Sequence, residues 1–164
     1  MNWKYLTIVS LMSCVCLGCM QKETEASVQE VPEQEIKKES EITFHQSHEE
    51  RKKDAPFSDA VETEDFLFLA GQIGMDHTTR ALVAGGIQKE TEQSIKNIQA
   101  VLEHHGLSLD NVVKCTVILK DINDFSAFND VYKTYFTKKP ARTTFAAAGL
   151  AANALIEIEV VAAK

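Results

Sequence analysis

The chain has 164 residues, of which 45% are hydrophobic, and this length and composition favour one globular domain with its own core. Its formal net charge of −7 argues against the basic surface that nucleic-acid-binding proteins carry, so we expect no nucleic-acid partner. Hydrophobic and charged residues are unevenly distributed, so we expect the core to occupy only part of the chain.

The first segment, MNWKYLTIVSLMSCVCLGCM, has the features of an export signal. Lys4 provides a positive end, and residues 5–18 form an apolar run shorter than the roughly 20 residues that span a bilayer. The LGC triplet that ends at Cys19 resembles the end of a bacterial lipoprotein signal. We predict a signal peptide over 1–18 and lipidation of Cys19. Lipidation of Cys14 and an uncleaved anchor are the alternatives.

The next segment, residues 19–40, is rich in glutamate and holds no aromatic residue and no glycine. Such a composition cannot bury enough apolar area to offset the entropy of folding. We therefore predict a disordered tether over 19–40 and a folded domain over 41–164. The protein would be lipid-anchored to a bacterial membrane, on the periplasmic side or at the cell surface. A leader without a role and a cytoplasmic location are the alternatives.

Within the domain, the first predicted strand begins near Ile42, and residues 51–61 form a turn region. The segment DFLFLAGQIGM predicts a buried strand that ends at Gly71. A long helix follows Gly85-Gly86, with Gly106 as a C-cap residue. Its apolar face has helical spacing and consists of Ile87, Thr91, Ile95, Ile98 and Leu102.

The remaining elements are a strand, a second helix and two final strands. NVVKCTVILK predicts a strand that buries the lone Cys115 as an inert thiol. NDFSAFNDVYKTYF predicts a helix with Asn123 or Asp124 as its N-cap. Its apolar face contains Phe125, Phe128, Tyr132 and Phe136. Strands over 142–149 and 155–162 complete an α+β domain with its helices on one face of a sheet.

The last strand carries two carboxylates in an apolar setting. Its alternation places Ile156, Ile158 and Val160 on one face, which can pack under the helices. The opposite face consists of Leu155, Glu157, Glu159 and Val161. Most charged strand residues simply face water, and this is the simpler interpretation. The alternative is that a partner subunit faces these residues across a shared cleft.

Five segments, APFSDAV, LAGQIG, NDFSAFNDVY, PAR and IEIE, occur in the order and approximate spacing of the RidA (YjgF) family. The chain resembles this family over about residues 42–164. The resemblance implies a chorismate-mutase-like α+β fold, a mixed sheet with two helices on one face, and a homotrimer with pockets between subunits. It also implies hydrolysis of reactive 2-imino and 2-enamino acids to 2-keto acids and ammonia, without a cofactor.

The same resemblance implies roles for individual residues. Arg142, in PAR, would bind the substrate carboxylate, since a planar guanidinium can donate two parallel hydrogen bonds. Glu157, the first acid of IEIE, would position water and transfer protons. Gly71 would bring its backbone N–H close to the substrate. The other predicted pocket residues are Asn129, Thr144, Phe57 and Ala70, whereas Glu159 is expected to be structural.

Two departures from the family pattern affect the expected substrate. Phe57 replaces a common pocket tyrosine and Ala70 replaces a serine, so two hydroxyl groups are absent and we expect altered or more apolar preferences. A carboxylate-binding module of the same fold without turnover is the alternative function. The acidic charge disfavours the ribonuclease activity that has also been assigned to the family. The pairs His45-x-x-His48 and His104-His105 have no acidic or thiol partner at ligand spacing, so no metal site is expected.

Overall fold

The structure is a computed structural model that describes residues 41–164. The predicted signal peptide over 1–18, the tether over 19–40 and the lipidation candidates Cys14 and Cys19 lie outside the described residues. None of the helices in the described part combines the length and the apolar character needed to cross a bilayer.

Nine strands occur in the described residues. They are β1 (Thr43–His45), β2 (Ala60–Glu62), β3 (Phe66–Leu69), β4 (Gln72–Ile73), β5 (Met75–Asp76), β6 (Ala81–Leu82), β7 (Val112–Leu119), β8 (Ala141–Ala146) and β9 (Ile156–Ala163). The main sheet has the order β1-β2-β3-β9-β7-β8, β4 also pairs with β9, and β5 and β6 form a separate pair. β7 and β8 are parallel and the other described pairs are antiparallel, so the sheet is mixed.

Two helices, α1 (Gly86–His104) and α2 (Phe125–Tyr135), lie between strands, as predicted. α1 begins after Gly85, whose φ of 116° lies in the left-handed region that favours glycine, and it ends before Gly106, with φ of 73°. Asp124 is the N-cap of α2 but makes no side-chain capping hydrogen bond. Instead, the Asp121 side chain accepts a hydrogen bond from the backbone N–H of Asn123, at the start of a preceding 3₁₀ turn. This turn spans Ile122–Asp124, and three further 3₁₀ turns occupy Glu50–Lys52, Leu109–Asn111 and Ala151–Asn153.

The core forms between the two helices and one face of the sheet. α1 buries Ile95, Ile98 and Leu102, which confirms the helical spacing. β9 lies between β3 and β7 and buries Ile156, Ile158 and Val160, so the predicted alternation is also confirmed. The described domain is therefore α+β, with two helices packed on a mixed sheet.

Several predicted boundaries differ from the structure. β2 begins inside the predicted turn over 51–61, and the segment 65–75 divides into β3, β4 and the start of β5. β3 is not buried on both faces, because Phe66 and Phe68 are 38% and 43% exposed. β8 ends at Ala146, where its partner β7 also ends in the register, rather than at residue 149. Phe125 is 40% exposed and so lies at the margin of the apolar face of α2.

Candidate functional site

Arg142 lies on β8 and points toward α2. Its Cζ atom lies 5.7, 5.1 and 4.5 Å from the ring centroids of Phe125, Phe128 and Tyr132. Cation–π contacts of this kind hold a guanidinium group in place without neutralising its charge. Among the residues that the structure describes, Arg142 forms no ion pair with a carboxylate. The group is therefore positioned and available to an anionic ligand.

A pocket of about 380 Å³ adjoins this guanidinium, a size found among small-molecule sites. It brings together Arg142 and Asn129, both predicted as site residues. Its lining consists of Asn129, Tyr132, Lys133, Phe136, Thr137, Lys139, Pro140 and Arg142. Lys133 pairs with Asp130 at 2.7 Å, which leaves Arg142 and Lys139 as cations that form no ion pair with the described carboxylates. The pocket therefore suits a small anion.

Thr144 follows Arg142 by two residues and so shares its face of β8. Its Oγ1 atom is buried and has no hydrogen-bond partner among the described residues. The Tyr132 hydroxyl is also buried, beside the Cys115 thiol, without a hydrogen bond of good geometry. Burial raises the pKa of Tyr132, and burial likewise raises that of Cys115, to about 11. Buried hydroxyl groups without hydrogen-bond partners are energetically costly. This face of the sheet therefore carries polar groups whose hydrogen-bonding capacity is not fully used.

Glu157 lies on β9 beside the turn that connects β3 to β4. In the register, Glu157 pairs with Ile73 of β4 and with Ile118 of β7. A Cβ atom added to Gly71 would lie 2.1 Å from the Glu157 Oε1 atom and 2.9 Å from its carboxyl carbon. A side chain at this position would displace the carboxylate from where it now lies. The structure thus brings these two predicted site residues into contact.

The pKa of Glu157 is raised above its ordinary value, mainly by burial and then by the negative charge of Glu159. A raised pKa makes a carboxyl group better suited both to accept a proton and to return it. Glu159 itself is exposed.

Arg142 and Glu157 do not meet within one chain. On β7, Cys115 is the neighbour of Arg142 and Ile118 is the neighbour of Glu157. Cys115 and Ile118 are three residues apart on one strand and therefore point to opposite faces. Arg142 thus lies on the helix-covered face and Glu157 on the face without helices.

The two remaining predicted site residues are Ala70 and Phe57. Ala70 directly precedes Gly71, and its backbone N–H donates to the Asp59 carbonyl oxygen at 2.9 Å. Phe57 lies in the loop before β2 and is 57% exposed. Sequence reasoning missed Lys139 as a pocket residue and assigned Tyr132 only to the core. No sequence pattern marked Tyr132 as a pocket residue, because an aromatic residue on an apolar helix face usually belongs to the core.

Known proteins resemble this chain in sequence and in fold. A family model described as endoribonuclease L-PSP matches residues 48–164. A RutC family protein of Pyrococcus horikoshii is 47% identical over 110 residues, which are 66% of this chain and 87% of that protein. The 2-iminobutanoate/2-iminopropanoate deaminase of Homo sapiens is 44% identical over 108 residues, which are 65% of this chain and 79% of that protein.

The solved structure of E. coli TdcF with bound serine is 31% identical and has a TM-score of 0.63, covering 66% of this chain and 88% of that chain. The five sequence segments and the mixed sheet with its two helices agree with these matches. The chain therefore belongs to the endoribonuclease L-PSP family, the RidA family that its sequence segments resemble.

Proposed function

We propose that this protein hydrolyses reactive 2-imino and 2-enamino acids to 2-keto acids and ammonia without a cofactor. Imine deamination is supported at the family level by relatives such as the human deaminase, whose name describes that activity. The serine bound to E. coli TdcF supports a substrate with the carboxylate of an amino acid.

The observation that carries the proposal is that Arg142 is held in place without an ion pair to a described carboxylate. Three aromatic rings hold its guanidinium beside the pocket, and no described carboxylate pairs with it. A guanidinium in this setting is suited to two parallel charge-assisted hydrogen bonds with a carboxylate. In the proposal, Arg142 binds the substrate carboxylate while Asn129 and Thr144 contact the rest of the molecule.

The proposal requires a second subunit, because Arg142 and Glu157 lie on opposite faces of one sheet. The face without helices supports such an assembly. Phe44, Phe68 and Phe145 are 69%, 43% and 45% exposed, and the strand register aligns them with the Glu157 side of the sheet. Exposed apolar surface of this kind marks interaction sites. We propose a homotrimer in which Glu157 and Gly71 of one subunit complete the pocket at Arg142 of its neighbour.

In the proposed reaction, water adds to the carbon of the C=N bond. Glu157 takes one proton from the water as its oxygen bonds to that carbon, and it passes this proton to the imine nitrogen to give the tetrahedral carbinolamine. Glu157 then takes the hydroxyl proton as the C=O bond forms and passes it to the nitrogen, which leaves as ammonia. The reaction consumes one water and releases one ammonia, so no redox partner is required.

A coupled assay tests the proposal. An amino-acid oxidase generates 2-imino acids from a panel of amino acids, and semicarbazide competes for them. We expect the full-length protein to accelerate the release of keto acid and ammonia, with a preference for apolar side chains because Phe57 and Ala70 lack hydroxyl groups. Glu157→Gln preserves the shape of the side chain and should lower turnover by about 10²-fold or more.

Binding of serine, measured by calorimetry, separates hydrolysis from the alternative function. We expect Glu157→Gln to retain serine binding, since Arg142 is unchanged. If the unmodified protein bound serine but accelerated no reaction across the panel, hydrolysis would be wrong and a carboxylate-binding module would be the function.

We also propose that the protein is exported and lipid-anchored through Cys19, on the basis of the apolar run and the LGC triplet. Cys19→Ala should release the protein from the membrane fraction. Release by Cys14→Ala instead would indicate that Cys14 is the lipidated residue. Membrane retention of both variants would indicate an uncleaved anchor.

A further inference from the structure

Four of the five histidines of the chain gather at one place in the described domain. The His45 and His105 rings have centroids 4.5 Å apart in an edge-to-face arrangement. The His48 and His104 rings stack with centroids 4.8 Å apart, and those of His104 and His105 are 5.4 Å apart. This histidine cluster includes none of the residues proposed for imine hydrolysis.

The fold adds a carboxylate to the histidine cluster. The register pairs His45 with Ala60 and Thr43 with Glu62, so His45 and Glu62 are diagonal neighbours on one face of β1 and β2. The His45 Nε2 atom lies 2.8 Å from Glu62 Oε2. His105, which directly follows α1, brings a second imidazole to the same point. Sequence spacing could not reveal this acid, because Glu62 comes from the adjacent strand.

We propose that His45, Glu62 and His105 bind a divalent transition-metal ion, with Zn²⁺ as the representative. One ligand atom from each residue can be chosen so that all three lie within 4.8 Å of one another. Zinc bonds of roughly 2.0–2.2 Å to nitrogen and oxygen require ligand atoms about 3.3 Å apart in a tetrahedron. Small side-chain rotations would therefore bring the set to ligand geometry.

The donor types decide the class of ion. Two imidazole nitrogens and one carboxylate oxygen suit Zn²⁺, Cu²⁺ or Ni²⁺, whereas Ca²⁺ and Mg²⁺ prefer oxygen ligands alone. A cavity of about 100 Å³ adjoins Glu62 and His105 and leaves space for water at an open coordination position. The carboxyl end of α1, next to His105, carries partial negative charge and favours a bound cation.

Lys164 forms a hydrogen bond with the same Glu62 carboxylate. Its Nζ atom donates to Glu62 Oε1 at 2.6 Å and to the Thr63 carbonyl oxygen at 3.1 Å, which leaves Oε2 directed at His45. A hydrogen bond to the second oxygen orients a ligating carboxylate. The ammonium charge also repels a cation, so we expect moderate rather than very tight binding.

Metal binding would link an edge strand to the end of a helix. β1 has three residues and pairs only with β2 among the described strands. An ion held by His45, Glu62 and His105 would connect β1 and β2 to the segment after α1. Because the ion binds the folded form, Zn²⁺ should raise the melting temperature in a concentration-dependent way.

Titration of Zn²⁺ into the full-length protein, followed by calorimetry, tests the site. We expect one ion per chain at the cluster, and His45→Asn and His105→Asn should each weaken binding by at least about 10-fold. Glu62→Gln, which keeps the shape of the side chain, should do the same. The matched control is His48→Asn, an exposed neighbour outside the ligand set, which should bind as the unmodified chain does. Melting curves without metal establish that each variant folds.

Co²⁺ as a spectroscopic probe separates this site from the cysteines near the start of the chain. The expected visible spectrum has imidazole and carboxylate ligands and lacks the intense thiolate charge-transfer band. Absence of Zn²⁺ binding, unchanged affinity in folded His45→Asn and His105→Asn, or an equal loss in His48→Asn would each overturn the assigned ligand set.

Discussion

Arg142 and Glu157 are held in two different ways on the two faces of one sheet. On the helix-covered face, aromatic rings of α2 position the guanidinium beside a pocket. On the face without helices, the Glu157 carboxylate rests against the bare backbone of Gly71, and burial together with Glu159 raises its pKa. The first region thus suits an anionic ligand, and in the proposed function the second transfers protons.

Neither region alone is a complete hydrolytic site. A carboxylate clamp without a proton-transfer group can bind but not hydrolyse, and an isolated carboxyl group cannot orient a substrate. The proposed reaction therefore depends on an assembly that brings the two regions together.

The largest effect is expected from Arg142. Arg142→Lys should lower kcat/KM by about 10²-fold or more, because lysine keeps the charge but loses the two-pronged geometry. Lysine can still place a cation over the rings of α2, so the melting temperature should stay close to that of the unmodified protein. Imine hydrolysis and thermal melts on this variant and on Arg142→Ala provide the measurement. Full activity in Arg142→Lys would contradict the clamp.

A mixture of two inactive variants tests whether the regions meet between subunits. Arg142→Ala and Glu157→Gln, unfolded together and refolded as mixed trimers, should recover about a quarter of the unmodified activity if assembly is random. At random, a quarter of the interfaces combine the intact Arg142 of a Glu157→Gln subunit with the intact Glu157 of an Arg142→Ala neighbour. Each variant refolded alone is the control. No recovery from demonstrably mixed trimers would contradict a site that Arg142 and Glu157 complete between neighbouring subunits.

A smaller loss is expected from Gly71→Ala. Its Cβ atom would lie 2.1 Å from Glu157 Oε1, so the carboxylate must move and the rate should fall by roughly 10- to 100-fold. Gly149→Ala is the matched control, because a Cβ atom there meets nothing within 4 Å. Steady-state kinetics on both variants decide the matter. Equal activity in the two would show that the contact with Gly71 has no role in catalysis.

The smallest effect concerns pH. Ionised Glu157 is the base in the proposed reaction, so activity should fall as the pH drops through its raised pKa. Glu159→Gln removes a negative charge that raises this pKa, so the pKa should fall and the acidic limb should move to lower pH by a fraction of a unit. The pH profile of kcat/KM measures the shift. If the acidic limb did not move, it would report the titration of a group other than Glu157.

Much of the fold was predictable because its signals are local. The spacing of Ile95, Ile98 and Leu102 defined the buried face of α1, and the alternation in β9 defined its two faces. β2 was missed because three residues are too few to show a period of two. The contact of Gly71 with Glu157 and the separation of Arg142 from Glu157 depend on strand order, which local patterns do not contain.

Cys115 has a consequence for the chemical environment in which the domain can work. It is the only cysteine in the described part of the chain, and it is buried in β7. Because the thiolate is the form that oxidises readily, a thiol whose pKa is raised to about 11 remains reduced and unreactive at neutral pH. The described domain thus has no pair of cysteines that could form an internal disulfide, and burial shields its one thiol from solvent.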